Sequence, residues 1–300
     1  MQSFNMKTII PGTVKTNVLH AYLLSAVAPR PICFASTIDE QGRPNLSPFS
    51  FFNVFGSNPA TLIFSPSRRV RDNTVKHTLN NVYATKEVVI NVVNYAMVQQ
   101  ASLASCEYPE GVNEFEKAGF TPLPSEKIKP FRVKESPVQI ECIVREVIET
   151  GTEGGAGNLV ICEPVAIHIN EDILNAEGKI DPHKIDLVAR MGGDYYCRAS
   201  GNAVFEVAKP NTNLGIGVDA LPLAIKNSHI LTGNDLGQLA NVTEVPMIDP
   251  GFNDDHLKQI IQYYSVNPTE MEQELHRYAK QLLEQSEVAA AWQVLLAGGN

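Results

Sequence analysis

A chain of 300 residues with 44% hydrophobic and 19% charged residues is long enough to bury a substantial core, and this composition excludes a disordered or collagenous polymer. Its net charge of -9 argues against a nucleic-acid backbone as partner, because that contact needs clustered Lys and Arg to release counterions. Five widely spaced cysteines with no C-x-x-C pair argue against a disulfide framework or a zinc knuckle.

The first residues, MQSFNMKTIIPG, lack the basic head and apolar core of a signal peptide. No apolar run approaches the ~18 residues of a membrane helix, so a cytoplasmic protein without a membrane partner is expected. PICFASTID (31–39) alternates large and small residues and runs into the turn-forming EQGRPN, which reads as strand then turn. TLIFS (61–65) and EVVINVV (87–93) are short Val/Ile-rich runs, the second too continuous to be exposed on either face, and both read as central strands. Between them, Val75, Leu79 and Val82 have helical spacing, with Asn73 or Thr74 as N-cap. NYAMVQQASLAS (94–105) predicts a second helix, capped by Asn94 and turning Met97, Ala101 and Ala104 inward.

QIECIVREVIE (139–149) and GNLVICEPVAIHIN (157–170) flank the glycine-rich TGTEGGA and predict a long hairpin. Strands come in runs rather than alternating with helices, which favours an antiparallel barrel with attached helices over a doubly wound sheet. Beyond residue 200, KPNTNLGIGVDALP reads as loop and VTEVPMIDPG as linker. The last third then turns helical. Leu257, Ile260, Ile261 and Tyr264 mark one helix, and Asn267-Pro268 with Glu270 starts another.

Two segments could carry chemistry. The loop 65–78 gathers Arg68, Arg69, Arg71 and Lys76 with Ser65, Thr74 and Thr78 between a strand and a helix start, where backbone N–H groups and guanidinium forks suit a phosphate. A solvated basic loop is the alternative. Residues 42–53, GRPNLSPFSFFN, interleave Asn45, Ser47 and Ser50 with Phe49, Phe51 and Phe52, a mixture that suits the edge and face of a heterocycle, although taken alone a core strand with a proline bulge explains it better. His168 either points into a site or is a hydrogen-bonded strand histidine. Residues 213–218, NLGIGV, lack the third glycine and preceding strand of a dinucleotide loop and read as a turn. No nucleotide-hydrolase, zinc-protease or serine-hydrolase signature occurs, and no catalytic side chain is identified.

The stretches APRPICFAST, GRPNLSPFSFFNVFGSNPATLIFSPSRR, KHTLNN and EVVINVV, continuous in order over residues 28–93, resemble the flavin reductase-like family that includes flavoredoxin and FMN-binding NAD(P)H oxidoreductases. The resemblance extends to about residue 200 through the strands at 138–169 and VARMGGDYY. It implies a mainly β fold with α: an FMN-binding split β-barrel with attached helices over residues 1–205, and a loop-rich, then helical, C-terminal extension over 206–300. It also implies a homodimer holding FMN noncovalently near the subunit interface, with NAD(P)H as donor and a small-molecule acceptor. The flavin ring contacts carry over to Asn45, Leu46, Ser47, Pro48, Ser50 and Phe51, and the phosphate contacts to Ser65, Arg68, Arg71, Lys76 and Thr78. His77 stands where the family often has Asp. Arg190, Gly192, Gly193 and Tyr195 resemble the family's closing segment near the flavin. On this resemblance the chain is an FMN-dependent oxidoreductase that takes hydride from NAD(P)H. The alternatives are a flavoredoxin-like electron carrier reduced by a protein partner and a non-catalytic flavin-binding module.

Overall fold

Strand β1 (Cys33–Ile38) is buried at all six positions, so both its faces are covered by other elements. It pairs antiparallel with β2 (Pro44–Phe49) across a turn in which Asp39 accepts from the N–H groups of Gln41 and Arg43. With β3 (Phe52–Ser57), β4 (Ala60–Phe64), β5 (Glu87–Val92), β6 (Val138–Glu149) and β7 (Asn158–Ile169) these strands form a seven-stranded antiparallel sheet ordered β2-β1-β5-β6-β7-β4-β3. Strands β2 and β3 are therefore opposite edges, yet only Ser50 and Phe51 separate them in sequence. A link that short reaches about 10 Å at full stretch. The Phe49 end of β2 and the Phe52 end of β3 are thus held close together, and the sheet is rolled into a barrel left split between these two edge strands, along a β2/β3 seam.

This is a computed structural model, and it describes residues 5–209 and 213–298. The chain divides into two compact units, Met1–Phe205 and Glu206–Asn300.

The long hairpin β6/β7 carries two register shifts, one of them at Pro164–Ala166, where Val165 has no partner and a proline without an N–H interrupts the ladder. Such bulges bend a twelve-residue strand enough to follow the barrel wall. The barrel interior holds Cys33, Ala35, Phe49, Phe64, Val88, Ile90, Cys142, Val160 and Cys162. Helix α2 (His77–Thr85) contributes Leu79 and Val82 to that cluster, a burial worth about 1.5 to 3 kcal/mol for each side chain. A second cluster joins Phe34 and Leu46 to Met97, Ala101 and Ala104 of the predicted helical stretch, here a 3-10 turn followed by α3 (Val98–Leu103), and to Phe115 of α4 (Glu114–Ala118).

Two local expectations are corrected. Helix α2 begins at His77 rather than at Val75, because Asn73 takes a left-handed φ of 58° and Thr74 is bound by the Asp72 carboxylate, so neither caps a helix. Asn94 precedes the 3-10 turn, but its side chain caps nothing. Helix α1 (Thr16–Ala26) has no counterpart among the predicted elements; it buries none of its residues and so carries no apolar stripe against a core.

Among the described residues, the second unit packs five α-helices around one core: α5 (Leu223–Lys226), α6 (Gly233–Leu239), α7 (Asp255–Tyr263), α8 (Pro268–Glu284) and α9 (Val288–Leu296). The predicted start of α8 is present, with Asn267 accepting from the Glu270 N–H. On α7, Leu257 and Ile260 are buried, whereas Ile261 faces out. The linker-like segment at 242–251 is irregular but anchored inside this unit, since Gln293 donates to the Met247 carbonyl and accepts from the Asp249 N–H. Residues 210–212 of the predicted loop lie outside the described residues.

Candidate functional site

The β2/β3 seam gathers the two sequence-selected segments. In and just after β2, Leu46 is fully buried in the core, Ser47, Pro48 and Ser50 are half-buried, and Phe51 is partly exposed. Leu46 therefore presents only backbone to any ligand. Asn45 is buried beneath the rim: its Oδ1 accepts from Thr78 Oγ1 (2.8 Å) and its Nδ2 donates to Glu114 Oε1 (3.0 Å). The Leu46 N–H, on the free edge of β2, donates to Glu114 Oε2 at 3.0 Å. Asn45 and Thr78 thus act from below, fixing β2 to the first turn of α2.

Glu114 was not legible as a site residue in the sequence. Burial pushes its carboxyl pKa up, against the opposing pull of the Leu46 N–H and Asn45. Asn113, whose side chain accepts from the Phe115 N–H, marks the helix start that delivers it, but the 69 residues between Glu114 and Asn45 hide the pairing.

In the basic loop the four cations have different tasks. Arg68 folds back on its own loop, with Nε donating to Asn73 Oδ1 (2.7 Å) and Nη2 to the Asn73 carbonyl (3.1 Å), and so holds the left-handed turn. Arg69 donates to Thr74 Oγ1 and the Val75 carbonyl, and its Nε meets Glu107 Oε1 at 3.1 Å. Arg71, largely exposed, pairs with Asp72 and with Glu107 Oε2. Ser65 Oγ is buried and accepts from the Asn158 N–H (3.1 Å), which leaves its own proton for a further acceptor.

Lys76 differs from all of these. Its Nζ lies 3.4 Å from Ser47 Oγ and 4.8 Å from the centre of the Phe49 ring, and among the described residues no carboxylate forms an ion pair with it. Burial, then the neighbouring Arg69, lowers its pKa. A half-buried ammonium with one long hydrogen bond and no counter-ion has unused capacity for an anion, and it sits where the ring segment and the phosphate segment touch.

The segment 188–198 approaches from another side. Strand Val188–Arg190 pairs with Arg30–Pro31 and with Tyr196–Arg198. Buried Arg30 joins helix and strand: it donates to the carbonyls of Leu24 and Val27 at the end of α1 and to that of Met191. A Cβ on Gly192 would stand 2.9 Å from the Ser25 Cβ and 3.1 Å from the Ser25 Cα, so any larger residue here would force the two segments to shift apart. His20 of α1 meets Phe51 edge-on, with ring centres 6.3 Å apart. Arg190 lies over Tyr196, and Tyr195 is exposed. His168 resolves as the hydrogen-bonded strand histidine, its Nε2 2.8 Å from the buried Glu141 carboxylate.

The family described as flavin reductase like domain matches residues 25–184. An uncharacterised protein of Aquifex aeolicus (strain VF5) is 37% identical over 191 residues, 64% of this chain and 95% of that protein. Among solved structures, nitrilotriacetate monooxygenase component B from Bacillus cereus superposes with a TM-score of 0.62 at 26% identity, covering 67% of this chain and 98% of its own. Flavoredoxin of Desulfovibrio vulgaris (Miyazaki F) shares the fold, with a TM-score of 0.53 at 24% identity over 69% of this chain and 98% of its own.

Proposed function

Because the chain belongs to the flavin reductase-like family, we propose that it is an FMN-dependent oxidoreductase that takes hydride from NAD(P)H at the β2/β3 seam. The observation that carries this reading is Lys76, a half-buried cation beside Ser47 that among the described residues has no carboxylate ion-pair partner. The donor set fits a flavin phosphate: Lys76 and Arg71 supply charge, and the Ser65 hydroxyl retains a free proton. Arg68 and Thr78 support the same site from within, by holding the loop and β2.

Bound FMN would supply the two-electron chemistry, accepting hydride from the nicotinamide ring. The chain's own contribution is binding and orientation. Ser47, Pro48, Ser50 and Phe51 would line the ring with half-buried polar and apolar surface, while Asn45 and Glu114 keep the strand behind them straight. No side-chain acid is needed for such a transfer.

A homodimer is supported by Val54 and Phe55, 63% and 65% exposed on the edge strand β3, an apolar surface that a second copy would cover. Among the described residues no helix is long and apolar enough to cross a membrane, and a cytoplasmic location is part of the proposal.

The test is an absorbance spectrum of the dialysed protein before and after reconstitution with FMN, followed by anaerobic NADH or NADPH. Flavin bands that bleach promptly support the reductase. Bands that persist favour a carrier reduced by a protein partner, or a binding module. A protein that takes up no FMN would end the proposal. Lys76→Met should weaken FMN binding by about tenfold or more, since a charge-assisted bond contributes roughly 1.5 to 3 kcal/mol.

A further inference from the structure

Glu107 lies 36 residues beyond Arg71 in the sequence, in the turn after α3, yet its two carboxylate oxygens are divided between two arginines of the basic loop: Oε1 at 3.1 Å from Arg69 Nε and Oε2 at 2.8 Å from Arg71 Nη2. This is the geometry in which one anion bridges two guanidinium groups, the same contact that two oxygens of a phosphate would make. The pairing is also weakly held. Glu107 is 51% and Arg71 69% exposed, and ion pairs in that setting contribute little to stability. A brace built to hold the fold would be buried, as Glu114 is.

The charge balance of the loop points the same way. Arg68, Arg69, Arg71 and Lys76 bring four cations, and among the described residues Asp72 and Glu107 are the carboxylates paired with them. The surplus matches a phosphate monoester, which carries close to two negative charges at neutral pH. A singly charged anion gains nothing over the carboxylate already in place, whereas a doubly charged one does.

Resting on the reading of this loop as the flavin phosphate site, we propose that Glu107 is a resident counter-ion of Arg69 and Arg71 that a phosphate monoester must displace, and that it sets the selectivity of the site for that dianion. Glu107 stands in for the phosphate in the free protein, keeps both guanidinium groups oriented, and leaves them when the ligand arrives. Lys76, which Glu107 does not neutralise by direct contact, remains the first attachment point for the incoming anion.

The experiment titrates the full chain, wild type and Glu107→Gln, with FMN and with riboflavin, which lacks the phosphate, following the quenching of flavin fluorescence. Removing the competitor should tighten FMN about fivefold, the scale expected for exposed ion pairs, and leave riboflavin unchanged. Glu107→Ala, which removes the side-chain amide as well, should give the same ratio. Equal affinities with FMN unimproved, weaker FMN binding in both variants, or riboflavin tightening in parallel would each overturn the role of Glu107. A wild-type chain that binds FMN no better than riboflavin would instead remove the phosphate site itself, and the inference with it.

Discussion

Glu114 shows how much one buried carboxylate can organise. It satisfies the one N–H of β2 that would otherwise face an empty sheet edge, and it fixes the amide of Asn45, which in turn orients Thr78. Glu114→Ala leaves Leu46 N–H and Asn45 Nδ2 unpaired in the interior, and should lower the unfolding free energy by about 2 to 4 kcal/mol in denaturant titrations. Glu114→Gln, which retains one acceptor, should cost less; equal losses would mean that charge and not hydrogen bonding matters there. His276 in the helical unit is a second such residue. Ser228 Oγ already accepts from the N–H groups of Ile230 and Leu231, so its proton is directed at His276 Nδ1, 2.8 Å away, and the imidazole is held neutral. Burial lowers its pKa below the ordinary 6.5. The unfolded chain therefore binds a proton that the folded one resists, and stability is lost as pH falls from 6.5 toward the lowered value. The unfolding midpoint of this unit should fall between pH 7.5 and pH 5, and the fall should be smaller in His276→Phe; a midpoint independent of pH would contradict the assignment.

Among the elements, legibility followed burial. EVVINVV and the hairpin at 139–170 were readable because their side chains face packed layers on alternating or both faces, and α8 because Asn267, Pro268 and Glu270 write a helix start into adjacent positions. Helix α1 was not, since a helix that buries nothing has no period to detect. The start of α2 was misplaced because the loop before it is shaped by Arg68 reaching Asn73, a contact that no helix signal encodes. Ser47, Ser50 and Lys76 stand out in the sequence through residue type and resemblance, whereas the partners of Glu107, Glu114 and Arg30 lie at long separations that leave no local mark. Helix α1 also carries a prediction. It is held at its C-terminal end by Arg30 and by close contact with Gly192, so Gly192→Ala should displace it. Limited proteolysis within residues 16–26 should accelerate while the β-rich circular dichroism stays unchanged; no change in cleavage would show that the contact yields without cost.

At the scale of the whole molecule, the two units have separate cores, and the single tryptophan, Trp292, is fully buried in the helical one with its Nε1 donating to the Leu239 carbonyl. Tryptophan fluorescence is therefore a private reporter of residues 206–300. In a denaturant titration its midpoint should differ from that followed by a barrel signal such as FMN release, and coincident transitions would mean that the units unfold as one cooperative body. The family match ends at residue 184, so the helical unit must be studied through such signals of its own.

Because only Ser50 and Phe51 join the two edge strands, the gap between them behaves like a calliper locked at one setting. Each residue inserted there would add about 3.3 to 3.6 Å of slack, and the setting would then belong to the packing around the strands and no longer to the chain that joins them.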